Sequence, residues 1–421
     1  SLDTYHLFDC KAFAMTAVES ANIDPQQRVL LEGGYDAFHT AGESRSSLAG
    51  SLTGVTVGVW STELFFTKAA TSTYHALNTL SVSAGRVSYV LGLHGSASAV
   101  DAACASSLVA GHIGVRALEA LEVERSLICG VNIIWTASSV AGGVAAGMGS
   151  PSFRCHTFDT RADGFGRAEG CVVVALQLDD HGQTIEAIVS QQDGKSASLT
   201  SPNGMAQKLL LTRALAKAST TPLQVQQFEA HGTGTTLGDT VEVGSLVSVI
   251  LSEQSCSPVP STLGSMKANA GHALSAAGLM GLFALAVSLH ASQAPPNAQL
   301  RCVSSQLIDA LKGVQCSFPC QVAVTRFREQ RNRGGVSSLG YNGTIAHAVL
   351  SDINEELIPP GAALPLVFRR RTYSWPRLGF GPAAIAAQGS AAHLVSGDVS
   401  DHALVHLDAD TPLVHAGLNS A

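Results

Sequence analysis

The chain has 421 residues, of which 46% are hydrophobic and 14% charged, and a formal net charge of -7. This length exceeds one small core and allows two domains or one large duplicated one, while the apolar content excludes a disordered chain. The acidic balance excludes a basic field for nucleic acid, so the short run Arg369, Arg370 and Arg371 reads as a solvated linker.

In chain order, the first clear element is a helix over residues 24–42, with Asp24 placed to cap it and Pro25 in its first turn. Val55, Val57 and Val59 mark a strand within Gly54–Ser61. The short apolar segment Ala99–Ala103 runs into a helix over Ser106–Leu121, where Leu108, Val115, Leu118 and Leu121 recur at helical spacing. Cys171–Leu178 is a continuous apolar run, as expected of a strand buried on both faces. A helix follows over Gln207–Ala218. The segment Gln227–Ala230 then leads into a Gly- and Thr-rich loop at 231–238. Ser275–His290 reads as a long apolar helix, and Gly335–Leu339 and Ala346–Leu350 flank a Gly-rich turn. Strands alternate with helices, which predicts an α/β fold with its sheet covered on both sides. After about residue 352, Pro359-Pro360-Gly361 and the Ala/Gly-rich stretch 381–394 read as linker.

The nine cysteines include no Cys-x-x-Cys pair, and Cys316 and Cys320 lack a second ligand pair, so no zinc site is expected. Scattered thiols in a chain of this size fit an intracellular, cytoplasmic setting. No apolar run reaches the length of a membrane span, and Ser1–Cys10 is not a signal peptide. The chain starts without an initiator Met and reads as an excised fragment.

Three Gly-rich turns carry candidate chemistry. Cys104 lies at a strand-to-helix junction, where the positive end of the helix dipole is expected to favour the thiolate. Its small neighbours Ala102, Ala103 and Ala105 leave room for an acyl group. His231 opens His231-Gly232-Thr233-Gly234-Thr235, in which the hydroxyls of Thr233 and Thr235 suit a polar ligand tail. His272 stands just before the apolar helix, whose N-terminus favours a neutral imidazole able to donate to an oxyanion, and Lys267 lies five residues earlier. One Cys with two His makes a nucleophile with two imidazoles, a set suited to acyl transfer and enolate stabilisation. A buried structural Cys and a backbone-bonded loop His remain the plainer readings of each residue alone.

These motifs resemble the ketosynthases of polyketide and fatty-acid synthesis. That family's run Asp-Thr-Ala-Cys-Ser-Ser-Ser-Leu appears as Asp101–Leu108, and its Glu-Ala-His-Gly-Thr-Gly-Thr loop appears unchanged as Glu229–Thr235. Its Gly-Ser-x-Lys-x-Asn-x-Gly-His run appears as Gly264–His272. Asp24–Arg28, Gly85–Tyr89, Phe158-Asp159 and Ala162–Gly170 match as well, so the resemblance spans residues 8 to 350 and leans toward modular polyketide synthases. It implies a thiolase-like, five-layer αβαβα fold of two duplicated halves, and a homodimer. Cys104 would take the acyl chain. His231 and His272 would promote decarboxylation of a malonyl extender, with Lys267 supporting His272. Thr233 and Thr235 would contact a phosphopantetheine arm. No cofactor is expected on the domain itself, because phosphopantetheine arrives on an acyl carrier protein. The second oxyanion donor would come from the turn Gly340-Tyr341-Asn342-Gly343-Thr344, with Tyr341 in the place of the family's gating Phe.

The departures are Asn342 for a glycine, which puts Asn at an expected φ > 0 position, together with Ile345, Ala105 and Leu274. The family's opening strand, central to its core sheet, is expected to be missing, and the chain is expected to aggregate in isolation. Residues 1–352 form the ketosynthase domain in this reading, 353–400 a linker, and 401–421 the beginning of an acyl carrier domain. There Ser420 falls at the phosphopantetheine attachment position. The alternatives are a thiolase, a fatty-acid synthase condensing enzyme, and a non-catalytic ketosynthase-like scaffold.

Overall fold

The computed structural model describes residues 6–62, 77–178, 183–254, 259–325, 331–353, 366–373 and the pair 416–417. Two mixed sheets form the framework. The first contains β1 (Thr53–Val59), β2 (Ala97–Val100), β3 (Arg125–Asn132) and β4 (Gly170–Leu176), in the order β2-β1-β3-β4, with Ala416–Gly417 paired beyond β4. β1 runs parallel to both neighbours, so Val57 lies opposite Ala99 on one side and Cys129 on the other. β4 is antiparallel to β3. Among the described residues only that two-residue pair lies beyond β4.

The second sheet contains β5 (Thr184–Gln192), β6 (Gln227–Glu229), β7 (Ser261–Gly264), β8 (Cys316–Ser317), β9 (Arg331–Leu339) and β10 (Thr344–Ile353). Their order is β8-β7-β6-β9-β10-β5. β6 is parallel to β7 and β9, whereas β9–β10 is a long hairpin, with Val336 opposite Ala348.

Six helices complete five layers. α1 (Pro25–Thr40) and α2 (Leu80–Leu91) cover the outer face of the first sheet, and α4 (Gly204–Lys217), backed by α5 (Thr236–Leu246), covers that of the second. α3 (Ser106–Glu119) and α6 (Ala277–Ala291) lie between the sheets. Three apolar clusters match these interfaces. One centres on Leu30, Phe38 and Val57, a middle one on Leu108, Ile128 and Leu282, and one on Leu210, Phe228 and Val243. α1 starts as expected, with Asp24 Oδ1 accepting the Gln26 N–H at 2.8 Å and Pro25 in the first helical position.

A short 3-10 turn precedes α6, and together they make an 18-residue apolar helix, Leu274–Ala291. Its length and composition would allow a membrane crossing, which the apolar runs of the sequence did not suggest, but 72% of it is buried between the two sheets. The segment 366–373 also departs from expectation. Arg371-Thr372 pairs antiparallel with Leu7-Phe8, Arg370 Nε meets Glu32 Oε2 at 2.9 Å, and Tyr373 is buried. The arginine run is therefore docked on the first half rather than solvated throughout.

Close approach between layers depends on glycine at one point. A Cβ on Gly58 would lie 2.6 Å from Ser107 Cα, one on Gly130 2.7 Å from Ser107 Cβ, and one on Gly278 3.0 Å from Ser107 Oγ. β1, β3 and α6 thus converge on the first turn of α3, where Ser107 Oγ accepts the Leu279 N–H at 3.0 Å.

Candidate active site

Cys104 sits where β2 hands over to α3. Asp101 Oδ1 accepts the Ala103 N–H at 3.0 Å, and Ala103 takes a φ of 50°. That left-handed conformation costs a non-glycine residue about 1–2 kcal/mol and persists only where the surroundings impose it. Here they do. Ser106 Oγ accepts the Ala102 N–H at 2.9 Å and donates to Ala103 O at 2.6 Å. Ser338 Oγ, from β9, donates to Cys104 O at 2.7 Å. The turn aims a buried thiol toward the second half of the molecule.

His231 follows β6 at the entrance of the Gly-Thr-Gly-Thr loop. Its N–H and that of Gly232 donate to the two oxygens of Glu242, at 2.7 and 3.0 Å. Gly232 has a φ of 43°, and a Cβ there would meet Ser265 Cβ at 2.7 Å. The ring is oriented from β9: His231 Nδ1 accepts the Leu339 N–H at 3.2 Å. In the neutral imidazole this places the ring proton on Nε2, which makes that atom a donor.

His272 is clamped through its backbone by the loop that leads into β4. Its N–H donates to Gly166 O at 2.7 Å, and its carbonyl accepts the Ala168 N–H at 2.9 Å. Phe165 packs edge-on against its ring, with centroids 5.0 Å apart. His272 Nε2 lies 3.0 Å from Cys104 Sγ, and the His231 and His272 rings stand perpendicular with centroids 5.5 Å apart. The structure therefore brings Cys104, His231 and His272 together from three turns, with ligand atoms all within 4.8 Å of one another.

The electrostatics depart from the expectation for Cys104. Burial pushes its thiol up to about 11, and this outweighs the Lys267 and Arg167 charges and the N–H groups of Cys104 and Tyr341, which pull the other way. The helix end does not make a resting thiolate. Burial, with Lys267 and Arg167, holds His272 well below the usual imidazole range, and burial with Lys267 and His272 does the same to His231. Both rings are held neutral mainly by burial, whereas the sequence reading expected this of His272 alone and from a helix end. A neutral His272 beside a protonated Cys104 can take the thiol proton at the moment of attack.

Lys267 is buried close behind this group. Its charge acts on Glu229 and Glu242, whose carboxyls are also buried. Burial raises both, Glu229 to about 7. Glu229 additionally accepts the Met266 N–H at 2.8 Å. Cys and two His at this spacing are a ligand set known to hold zinc, but two features oppose a cation here. The His231 proton is fixed on the atom facing the site, and two positive side chains act on Cys104.

The Gly340–Thr344 turn closes the site from β9–β10. Gly340 lies against Ala102 O, 2.7 Å from where its Cβ would be, and Asp193 N–H donates to Gly343 O at 2.7 Å. Gly343, not Asn342, takes the positive φ, at 84°. Asn342 instead uses Oδ1 to accept the Thr344 N–H at 3.3 Å, which corrects the sequence expectation. Tyr341 is half exposed. Thr233 and Thr235 hydroxyls lie 3.2 Å apart beside His231. Ser420 lies outside the described residues. Four contributors carried no assigned role in the sequence reading: Ser338, Glu242, Phe165 and Arg167. The last two fall within the Ala162–Gly170 motif, which signalled the segment but not what its side chains touch.

Comparison with known proteins agrees with this geometry. The family model for the beta-ketoacyl synthase N-terminal domain matches residues 1–181, and that for the C-terminal domain matches residues 183–301. A mycocerosic acid synthase-like polyketide synthase of Mycolicibacterium smegmatis is 38% identical over 388 residues, 87% of this chain and 18% of that protein. A phthioceranic/hydroxyphthioceranic acid synthase of Mycobacterium tuberculosis is 36% identical over 381 residues, 86% of this chain and 17% of that protein. The chain thus spans less than a fifth of the length of these two relatives. Among solved structures, the ketosynthase from module 6 of the bacillaene synthase of Bacillus subtilis superposes with a TM-score of 0.78 at 29% identity, covering 83% of this chain and 62% of that one. An oxazolomycin ketosynthase domain of Streptomyces albus gives 0.76 at 28% identity, covering 87% and 64%. With both halves of the family matched, and with a Cys and two His converging between them, the chain belongs to the beta-ketoacyl synthase family of condensing acyltransferases.

Proposed function

We propose that this chain is the ketosynthase of a polyketide synthase, with Cys104 as nucleophile, His231 and His272 as its imidazole partners and Lys267 as their electrostatic support. The observation that carries the reading is the convergence of Cys104 Sγ, His272 Nε2 and a donor-oriented His231 in one buried site. In the acyl transfer step, Cys104 Sγ attacks a thioester carbonyl while His272 accepts the thiol proton. The C–S bond to the donor breaks, and the proton leaves with the donor thiol. The N–H groups of Cys104 and Tyr341 face the sulfur and suit the oxyanion. In the condensation step, the carboxylate-bearing C–C bond of a malonyl thioester breaks and CO2 leaves. The electron pair forms an enolate whose oxygen takes a hydrogen bond from the His231 Nε2–H. The enolate carbon then attacks the acyl-Cys104 carbonyl, and the sulfur departs as thiolate and takes up a proton from solvent.

An acyl carrier protein bearing phosphopantetheine is the partner that this chemistry asks for, with Thr233, Thr235 and the Gly340–Asn342 turn along the arm and Tyr341 at the mouth. A homodimer belongs to the same proposal. Among the described residues β2 is paired on one side only, by β1, and its other edge is partly exposed. The carrier-like tail with Ser420 is likewise proposed. A longer chain treated with phosphopantetheinyl transferase should gain mass on Ser420. The test of the main reading is intact mass after incubation with an acyl thioester. One acyl group should be gained by the wild type and none by Cys104→Ala, and a folded wild type that gains nothing would refute the reading.

A further inference from the structure

Two cations act on Cys104, and only Lys267 belongs to a motif to which the sequence reading assigned a role. The other is Arg167. Its backbone forms a parallel bridge with His272, and its neighbours Gly166 and Ala168 make the two hydrogen bonds that hold the His272 backbone. Its guanidinium lies over the indole of Trp60, 5.4 Å from the ring centroid. Trp60 directly follows β1, so the stack ties the first sheet's edge of the site to the loop that carries His272. An aromatic face attracts a cation without neutralising it, and a stacked guanidinium keeps both its charge and its plane.

We propose that Arg167, steadied by Trp60, is a positioning residue for the Cys104–His272 pair, supplying positive potential that favours charge on the sulfur while keeping His272 neutral and able to receive the thiol proton. The inference rests on Cys104 being the nucleophile. The charged and titratable groups around the thiol are Asp101, Arg167, His231, Lys267 and His272, with Glu229 and Glu242 behind Lys267 and Cys155 behind His272. Burial raises the thiol, and the Arg167 charge acts against that rise on Cys104 and lowers His272, the directions the proposal requires.

The experiment is the rate of iodoacetamide alkylation of Cys104 against pH, followed by peptide mass so that the other thiols do not interfere. The variants are Arg167→Gln, Arg167→Lys and Trp60→Leu. Removing the charge should move the thiol midpoint upward and slow alkylation at pH 8 by about threefold to tenfold, the effect of a midpoint shift of roughly half to one pH unit. Arg167→Lys should recover most of the rate. Trp60→Leu, which keeps the charge but removes the indole beneath it, should fall between wild type and Arg167→Gln. An Arg167→Gln profile that coincides with wild type overturns the proposal, even if its KM for a malonyl thioester rises, since that pattern would make Arg167 a substrate contact. Should Arg167→Gln fail to melt cooperatively, Trp60→Leu decides, and an unshifted profile there overturns the idea. Alkylation needs no thioester, so a protein that alkylates at Cys104 but is never acylated would count against the ketosynthase reading while leaving this inference judged on its own profile.

Discussion

Cys104 Sγ and His272 Nε2 lie 3.0 Å apart, yet 168 positions separate them in the chain. The second imidazole, His231, is oriented differently: its Nδ1 is occupied by the Leu339 N–H, so it faces the site as a donor. The two rings should therefore fail in different steps. His272→Ala removes the proton acceptor beside the thiol and should slow acylation of Cys104 by about 10²-fold or more. His231→Asn keeps an acceptor near the Nδ1 position and removes the donor at Nε2. It should leave acylation within a fewfold of wild type and cut decarboxylation of a malonyl thioester by about 10²–10³-fold. Intact mass reads the first step and CO2 release the second. Equal loss of acylation in both variants would contradict this division of labour.

The buried acids predict how stability follows pH. Burial raises Glu229 to about 7, while an unfolded glutamate releases its proton near 4.3. Between these values the folded chain holds a proton that the unfolded chain has lost, so stability falls as pH rises through that window. Glu229→Gln keeps an acceptor for the Met266 N–H but cannot ionise. Its melting temperature relative to wild type should therefore rise between pH 5 and pH 8, by an amount corresponding to a few kcal/mol. A difference that stays constant across this range would mean that Glu229 is not held protonated by its surroundings.

The approach of β1 to α3 leaves no room for a methyl group. Gly58→Ala would place its Cβ 2.6 Å from Ser107 Cα and should lower stability by about 1–3 kcal/mol or more. Acylation should suffer too, since Ser107 lies in the first turn of the helix that follows Cys104. Gly244→Ala is the control. It lies in α5 with nothing within 4 Å of an added Cβ, and should raise stability by up to about 1 kcal/mol. Thermal melts of the two variants decide the matter. Similar melting temperatures would refute the packing argument.

Much of this was legible in the sequence because the elements that carry the site are short, apolar and bounded by glycine. β1, α3, β4, α4 and α6 appear within a few residues of where the patterns put them. β3, β5, β7, α2 and α5 were not recognised. Arg125–Asn132 mixes Arg, Ser, Cys, Gly and Asn with its apolar residues, and its strand character comes from its two neighbours. The three reactive residues were readable because their motifs are dense. The state of the thiol was not, since a helix end is visible in a sequence and complete burial is not. Asn342 was assigned a left-handed φ because it replaces a glycine, whereas Gly343 next to it absorbs the bend at lower cost. Ser338 and Arg167 act through a carbonyl and an indole far away in sequence, contacts that no local pattern encodes.

Cys104 and the loop holding the His272 backbone come from the half built on the first sheet, whereas His231, Lys267, His272 and the Gly340–Thr344 turn come from the half built on the second. Neither half owns a complete reaction centre. The sulfur–imidazole distance is therefore a gauge of how the halves are seated on the α3–α6 layer. A change at Leu108 or Leu279 that tilts one half by a fraction of an ångström could silence the chemistry with every reactive group intact and both halves still folded. Splitting the chain between β4 and β5 should give two inert pieces, and recovery of acylation on mixing them would report their docking directly.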